Sequence, residues 1–160
     1  MKRVLCILLA GALLLALAGC GALSKAERQI KKRAGLDLDL SGCRVVSETD
    51  THGGFLGDGE YLLVLDCSGS EEKLIAQTGG WSTFPLSENV RTVLYDWGVA
   101  EQYGIPEIGG GAWYFRDRFA DDAALDRRSD ALLLSRPAVN FSLLLYDADH
   151  SRLYYFEMDT

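Results

Sequence analysis

The chain has 160 residues, 48% of them hydrophobic, and its 23 acidic against 16 basic residues leave a net charge of −7. That length suits one domain with a single core, and an acidic balance with no basic patch on the body excludes nucleic acid as a partner. No internal repeat or low-complexity run appears.

The chain opens with MKR, an uncharged apolar run from Val4 to Ala18, and the tetrapeptide Leu17-Ala18-Gly19-Cys20. A charged start, a short apolar run and small residues at its end mark a secretory signal peptide. The run is too short for a comfortable membrane span, which needs about 20 residues. Leu-Ala-Gly-Cys resembles the lipobox of bacterial lipoproteins. The resemblance implies that residues 1–19 are a cleaved signal peptide and that Cys20 carries a diacylglyceryl group as the mature N-terminus. Two acyl chains, at about 0.8 kcal/mol per buried methylene, hold a protein stably at a bilayer. The expected location is the extracytoplasmic face of the cell membrane, lipid-anchored.

Residues 20–35 carry Lys25, Arg28, Lys31, Lys32 and Arg33 against Glu27 alone, whereas residues 36–160 hold 9 basic and 22 acidic residues. Each cation near anionic headgroups gains about 1 kcal/mol, so these five are expected to face the membrane while the acidic body points outward. A solvated helix face accounts for the same charges. Ser24-Lys25-Ala26-Glu27 has the spacing of a capping box and predicts a helix over 25–34, stopped by Gly35. Its apolar stripe of Ala26, Ile30 and Ala34 is too narrow to bury deeply, so residues 20–35 read as a juxtamembrane stalk beneath a domain of residues 36–160.

Two runs rich in β-branched and aromatic residues, 43–50 and 60–67, flank a glycine-rich loop as strands of a hairpin should. If Asp50 faces Glu60, the same register sets Arg44 opposite Asp66 and Cys43 opposite Cys67. Opposed Cα atoms then fall within disulfide range, which makes Cys43–Cys67 a candidate disulfide; two packed thiols are the alternative. Acids in the first turn after Ser70 predict a short helix ended by Gly79-Gly80, and WSTFPL reads as a connector. Ser87 can cap a third helix in which Val90, Val93, Leu94 and Trp97 form one apolar stripe, and Gly98 stops it. A strand is expected over 112–119, a helix or a mobile loop over 121–128, and a closing hairpin of 139–147 and 152–159 around Ala-Asp-His-Ser, with Phe141, Leu143 and Leu145 on one face. Antiparallel hairpins with helices between them read as a single α+β domain: a mainly antiparallel sheet of about five strands with two or three helices packed on one face.

The loop DTHGGFLGDG at 50–59 supplies the ligand-loop candidates Asp50, His52, Gly53, Gly54 and Asp58. Carboxylate and imidazole suit a divalent cation, so Asp50, His52 and Asp58 form a candidate metal set, although no EF-hand spacing is present. Phosphate binding would want a following helix and a cation; here a strand and two acids follow. Nucleophilic catalysis needs an oriented base beside Ser or Cys, and only unsupported His52–Asp50 or His150–Asp147 pairings suggest one. The aromatic trios 113–115 and 154–156 could line a ligand groove, but alternation sends neighbouring rings to opposite faces, which favours core filling.

The loop, the Trp81-x-x-x-Pro85-Leu86 motif and the C-terminal NFSLLLYDADHSRLYYFEMDT together resemble a family of small uncharacterised bacterial proteins, many of them Gram-positive lipoproteins. The resemblance covers residues 43–160 and implies one compact domain, with no activity attached. Members often carry His where this chain has Leu56, a departure that weakens a two-histidine metal site. The expected function is a non-catalytic binding or interaction module at the cell envelope, with an unknown protein, peptide or small-molecule partner and no cofactor. The alternative is a metal-dependent hydrolase using Asp50, His52 and Asp58.

Overall fold

Three uninterrupted apolar runs, Leu62–Leu65, Leu143–Tyr146 and Leu153–Phe156, determine the architecture. Successive strand residues point to opposite faces, so a run with no polar break needs cover on both. The computed structural model, which describes residues 21–53, 57–119 and 126–160, provides it. Its strands are β1 (Arg44–Asp50), β2 (Gly59–Asp66), β3 (Ser82–Thr83), β4 (Gly111–Asp117), β5 (Asn140–Asp147) and β6 (Arg152–Asp159). They form one sheet in the order β1-β2-β6-β5-β4-β3, antiparallel at every pairing. The α+β class and the antiparallel sheet are as expected; the sheet has six strands because the connector WSTFPL adds β3 beside β4.

The helices lie on both faces of the sheet, not one. On the first face α1 (residues 21–33), Ala34 just after it and α2 (Glu71–Gln77) pack Ala26, Ile30, Ala34 and Leu74 against Leu63, Leu65, Tyr114, Leu144, Tyr146 and Tyr155. On the second, α3 (Glu88–Arg91), a π-helical turn (Thr92–Asp96) and α4 (Val99–Tyr103) pack against Leu62, Phe115, Phe141, Leu143, Leu145 and Phe156. The aromatic trios divide between the two cores, Tyr114 and Tyr155 to the first face, Phe115, Tyr154 and Phe156 to the second.

Helix α1 is therefore part of the domain and not a stalk. Narrow as its stripe is, Ile30 and Ala34 are completely buried, and polar contacts on either flank supply the rest of its hold. The capping box does not form, because residues 21–23 are already helical. Glu27 instead accepts the backbone N–H of Leu40 at 2.9 Å, fixing the chain that returns beneath the helix. Gly35 ends α1 at φ +72°, as its conformational freedom allows. Among the described residues no helix is long and apolar enough to cross a membrane.

Two departures from simple periodicity have identifiable causes. The β1–β2 register is the expected one at Arg44–Asp66, but a bulge between Val45 and Ser47 advances it by one, so Asp50 faces Tyr61 and not Glu60. Ser87 caps α3 as expected, accepting from the Val90 N–H. The next turn then widens: the Trp97 N–H bonds to the Thr92 carbonyl five residues back. That extra rotation carries Trp97 off the apolar stripe, leaving it 53% exposed while Val90, Val93 and Leu94 are buried. Of the uncertain segment 121–128, residues 121–125 lie outside the described residues; Arg127 and Arg128 form a turn.

Candidate functional site

Two hydrogen bonds close the neck of the glycine loop. The Thr51 N–H donates to the Glu60 carbonyl at 2.9 Å, and the Glu60 N–H donates to Thr51 Oγ1 at 2.8 Å. Immediately beyond, Asp50 Oδ1 accepts the His52 backbone N–H at 3.0 Å, a local turn in which aspartate uses its own side chain. The same oxygen lies 2.7 Å from His52 Nδ1. Gly59 makes room for this turn: a Cβ there would sit 2.5 Å from the His52 Cα.

His52 Nε2 then meets Asp159 Oδ2 at 3.0 Å, at the end of β6. This acid was not among the candidate residues. Asp159 in turn pairs with Arg118 at 2.8 Å and with Arg33 of α1 at 3.2 Å. Two residues back on the same face of β6, Glu157 pairs with Arg33 Nε at 3.0 Å and stands 3.5 Å from Arg118 Nη2. Its other oxygen accepts from Gln29 Nε2 at 2.8 Å and from the Tyr155 hydroxyl. Glu157 and Tyr155 are fully buried. Burial and the Glu157 carboxylate push the Tyr155 hydroxyl far up, so it stays a donor at any ordinary pH.

The cluster thus joins four segments: α1, the glycine loop, the end of β6 and the chain after β4. Asp50, Asp159 and Glu157 oppose two guanidinium groups, and a proton on His52 balances the cluster. Burial by itself pulls the His52 pKa down, but hydrogen bonds to Asp50 and Asp159 outweigh it and the net shift is upward from 6.5. Burial likewise raises Asp50, and its hydrogen bonds from the His52 ring and backbone more than compensate, leaving it below 3.8. A raised histidine contributes stability that is complete below 6.5 and disappears as pH rises through the folded value; a lowered aspartate contributes stability that disappears as pH falls below 3.8. His52→Gln is therefore expected to cost about 1 kcal/mol near pH 5 and less near pH 8. Paired thermal melts of both proteins check this; a cost that grows with pH contradicts it.

Asp58 does not join the cluster. It is exposed, and its backbone carbonyl receives the Gly53 N–H at 3.4 Å across the loop. Gly54 lies outside the described residues. The candidate metal set of Asp50, His52 and Asp58 is thus not assembled: the carboxylates of Asp50 and Asp159 meet the two ring nitrogens of His52, and the Asp58 side chain joins neither. Among the described residues no group of three or more His, Cys, Asp or Glu side chains is arranged to hold a metal ion.

Nor do the other catalytic candidates converge. Both ring nitrogens of His52 are engaged by carboxylates, which leaves none to activate a serine or cysteine. His150 pairs with Asp147 at 2.8 Å in the β5–β6 turn. That turn follows Asp147 and precedes Arg152, at the opposite end of β6 from Asp159 and about 23 Å away along the strand. The glycine loop and the Ala-Asp-His-Ser turn therefore cannot form one surface. Cys43 and Cys67 are joined as a disulfide, Cα atoms 4.1 Å apart.

An open groove lies elsewhere, against the second core. Phe84, Pro85, Leu86, Tyr95 and Ile108 line it, with Arg91 and Glu107 facing each other at 3.8 Å, and its volume is about 260 Å³. The Tyr95 hydroxyl is held by the Pro106 carbonyl at 2.8 Å. Pro85 and Leu86 of the Trp81-x-x-x-Pro85-Leu86 motif line this groove, but nothing in the sequence joins them to the rest, since its residues come from the connector, α3 with its π turn, and the chain after α4. Comparison with known proteins gives no match: no family model, no curated protein and no solved structure is similar to this chain.

Proposed function

We propose that this protein is a lipid-anchored, extracytoplasmic lipoprotein that acts as a non-catalytic binding module, taking an extended protein segment in the groove of Phe84, Leu86, Tyr95 and Ile108. The lipobox resemblance at Cys20 supports the location. The observation that carries the binding reading is the groove itself, in which Phe84, Leu86, Tyr95 and Ile108 stand beside the charged pair Arg91 and Glu107. Aromatic side chains and arginine are enriched at protein recognition surfaces. An enclosed small-molecule site buries most of its ligand, whereas this groove is open to solvent and suits a protein segment lying against it. The His52 cluster supports the same reading from the other side, since its charged groups are spent on one another and hold the scaffold together.

A photoactivatable residue at Glu107, introduced in the full chain on living cells, is expected to give a discrete protein adduct that the same probe at Glu72 on the opposite face does not. Adding Ile108→Asp should lower the adduct yield about ten-fold. Identical adducts at both positions, or none at Glu107, would overturn the reading.

A further inference from the structure

The outward pole of α1 is cationic. With Ala26, Ile30 and Ala34 turned to the sheet, the helical step of about 100° per residue sets Lys25, Arg28 and Lys32 on the side directly opposite, with Lys31 beside them. All four are exposed. Lys25 and Lys31 each touch an acid, Glu48 and Asp37, yet keep 61% and 62% of their side chains exposed. Such surface pairs hold a cation only weakly. Arg28 and Lys32 pair with no acid among the described residues, while Arg33 is turned inward to Glu157 and Asp159. Glu27, the only acid on α1, faces the Leu40 amide.

The helix lies across the strands. Lys25 reaches Glu48 on β1, Gln29 reaches Glu157 on β6, and the Ala34 carbonyl accepts the Tyr114 hydroxyl of β4 at 3.1 Å. Its described residues begin at Gly21, next in sequence to Cys20, so on the lipid-anchored reading the site of acylation adjoins the helix. A domain held that closely cannot stand off the bilayer on a stalk. We propose that α1 lies flat on anionic phospholipid headgroups through Arg28, Lys31 and Lys32, a placement that rests on the lipid-anchored reading above and specifies its orientation. The face bearing α1 then meets the membrane, and the opposite face, with the Phe84–Ile108 groove, is presented outward. Glu71 and Glu72 of α2 share the lower face at the far end of the sheet and tilt that end away from the headgroups. Each cation favours the anionic surface by about five-fold.

The test uses the acylated full-length protein in vesicles of phosphatidylglycerol mixed with phosphatidylcholine, and of phosphatidylcholine alone. Amine-reactive labelling of Lys32 is expected to slow about ten-fold on the anionic vesicles, with Lys73 on α2 affected far less. High salt should restore Lys32 labelling in the unaltered protein, and Arg28→Glu should reduce the protection of Lys32. Equal labelling of Lys32 on the two vesicle types, with diacylglyceryl found on Cys20 by mass spectrometry, overturns the flat orientation and leaves the lipoprotein reading standing. An unmodified Cys20 removes the lipoprotein reading and the orientation with it.

Discussion

Replacing Arg118 by methionine is expected to destabilise the protein by about 3–5 kcal/mol, a large part of the roughly 5–15 kcal/mol that holds a domain of this size together. Its side chain is only 9% exposed and faces two acids, Glu157 and Asp159. It also donates to the Phe141 carbonyl at 2.8 Å and to the Met158 carbonyl at 3.2 Å, bridging the ends of β5 and β6. The loss comes mainly from what is left behind: a completely buried Glu157 with Arg33 as its remaining guanidinium. Arg33 is 40% exposed and shared with Asp159, so it compensates poorly. If that account is right, removing the stranded charge as well must recover stability. Arg118→Met combined with Glu157→Leu should be more stable than Arg118→Met alone, with a coupling energy of about 2 kcal/mol by urea unfolding. Simple additivity of the two changes would mean that the pair does not act as a unit.

The same cluster shows how far the sequence alone reaches. Asp50 and His52 were legible because their pairing is local, two residues apart in a turn that aspartate closes for itself. Asp159 was not, since it lies 107 residues from His52 and nothing in the loop's composition points to the C-terminus. A signal for it existed all the same. Alternation along β6 puts Glu157 and Asp159 on the same face as Leu153 and Tyr155, and an acid on a buried row demands a partner. Asp58 stands among glycines that serve turn formation, not ligation.

The fold divides in a similar way. Strands and hairpins were readable from β-branched and aromatic runs, and the Cys43 end of the first hairpin from its opposed cysteines and charges. The two-sided burial was written in Leu62–Leu65, Leu143–Tyr146 and Leu153–Phe156, whose lack of polar alternation is incompatible with helices on one face alone. The bulge near Val46 and the π turn at Thr92–Asp96 left no comparable mark. Each changes the phase of a pattern by one residue, and the residues involved are as compatible with the regular form as with the irregular one. Area alone understates the hold on α1: Ala26, Ile30 and Ala34 bury little, but Gln29, Arg33 and the Ala34 carbonyl find partners on the sheet.

Reducing the Cys43–Cys67 bond is expected to cost about 2–3 kcal/mol, less than the roughly 3.5 kcal/mol of the chain-entropy estimate for this loop because the hairpin already restrains it. Its effect should be local before it is global. Strand β1 is one edge of the sheet, bonded to β2 alone, and six of its seven residues are exposed. Little apolar packing therefore holds it. The bond secures it where the chain from α1 arrives: Cys67 is fully buried and its N–H donates to the Ser151 carbonyl at 2.8 Å, while the Cys43 N–H donates to the Leu40 carbonyl at 2.9 Å. Without the bond, amide exchange should accelerate in β1 and in the 36–43 segment, while β5 and β6, bonded on both sides, keep their protection. Thiol titration of the unfolded protein should find Cys43 and Cys67 only after a reductant is added. Exchange rates in β1 that do not change on reduction would mean that backbone pairing to β2 is enough to hold the edge, and that the bond secures something other than this strand.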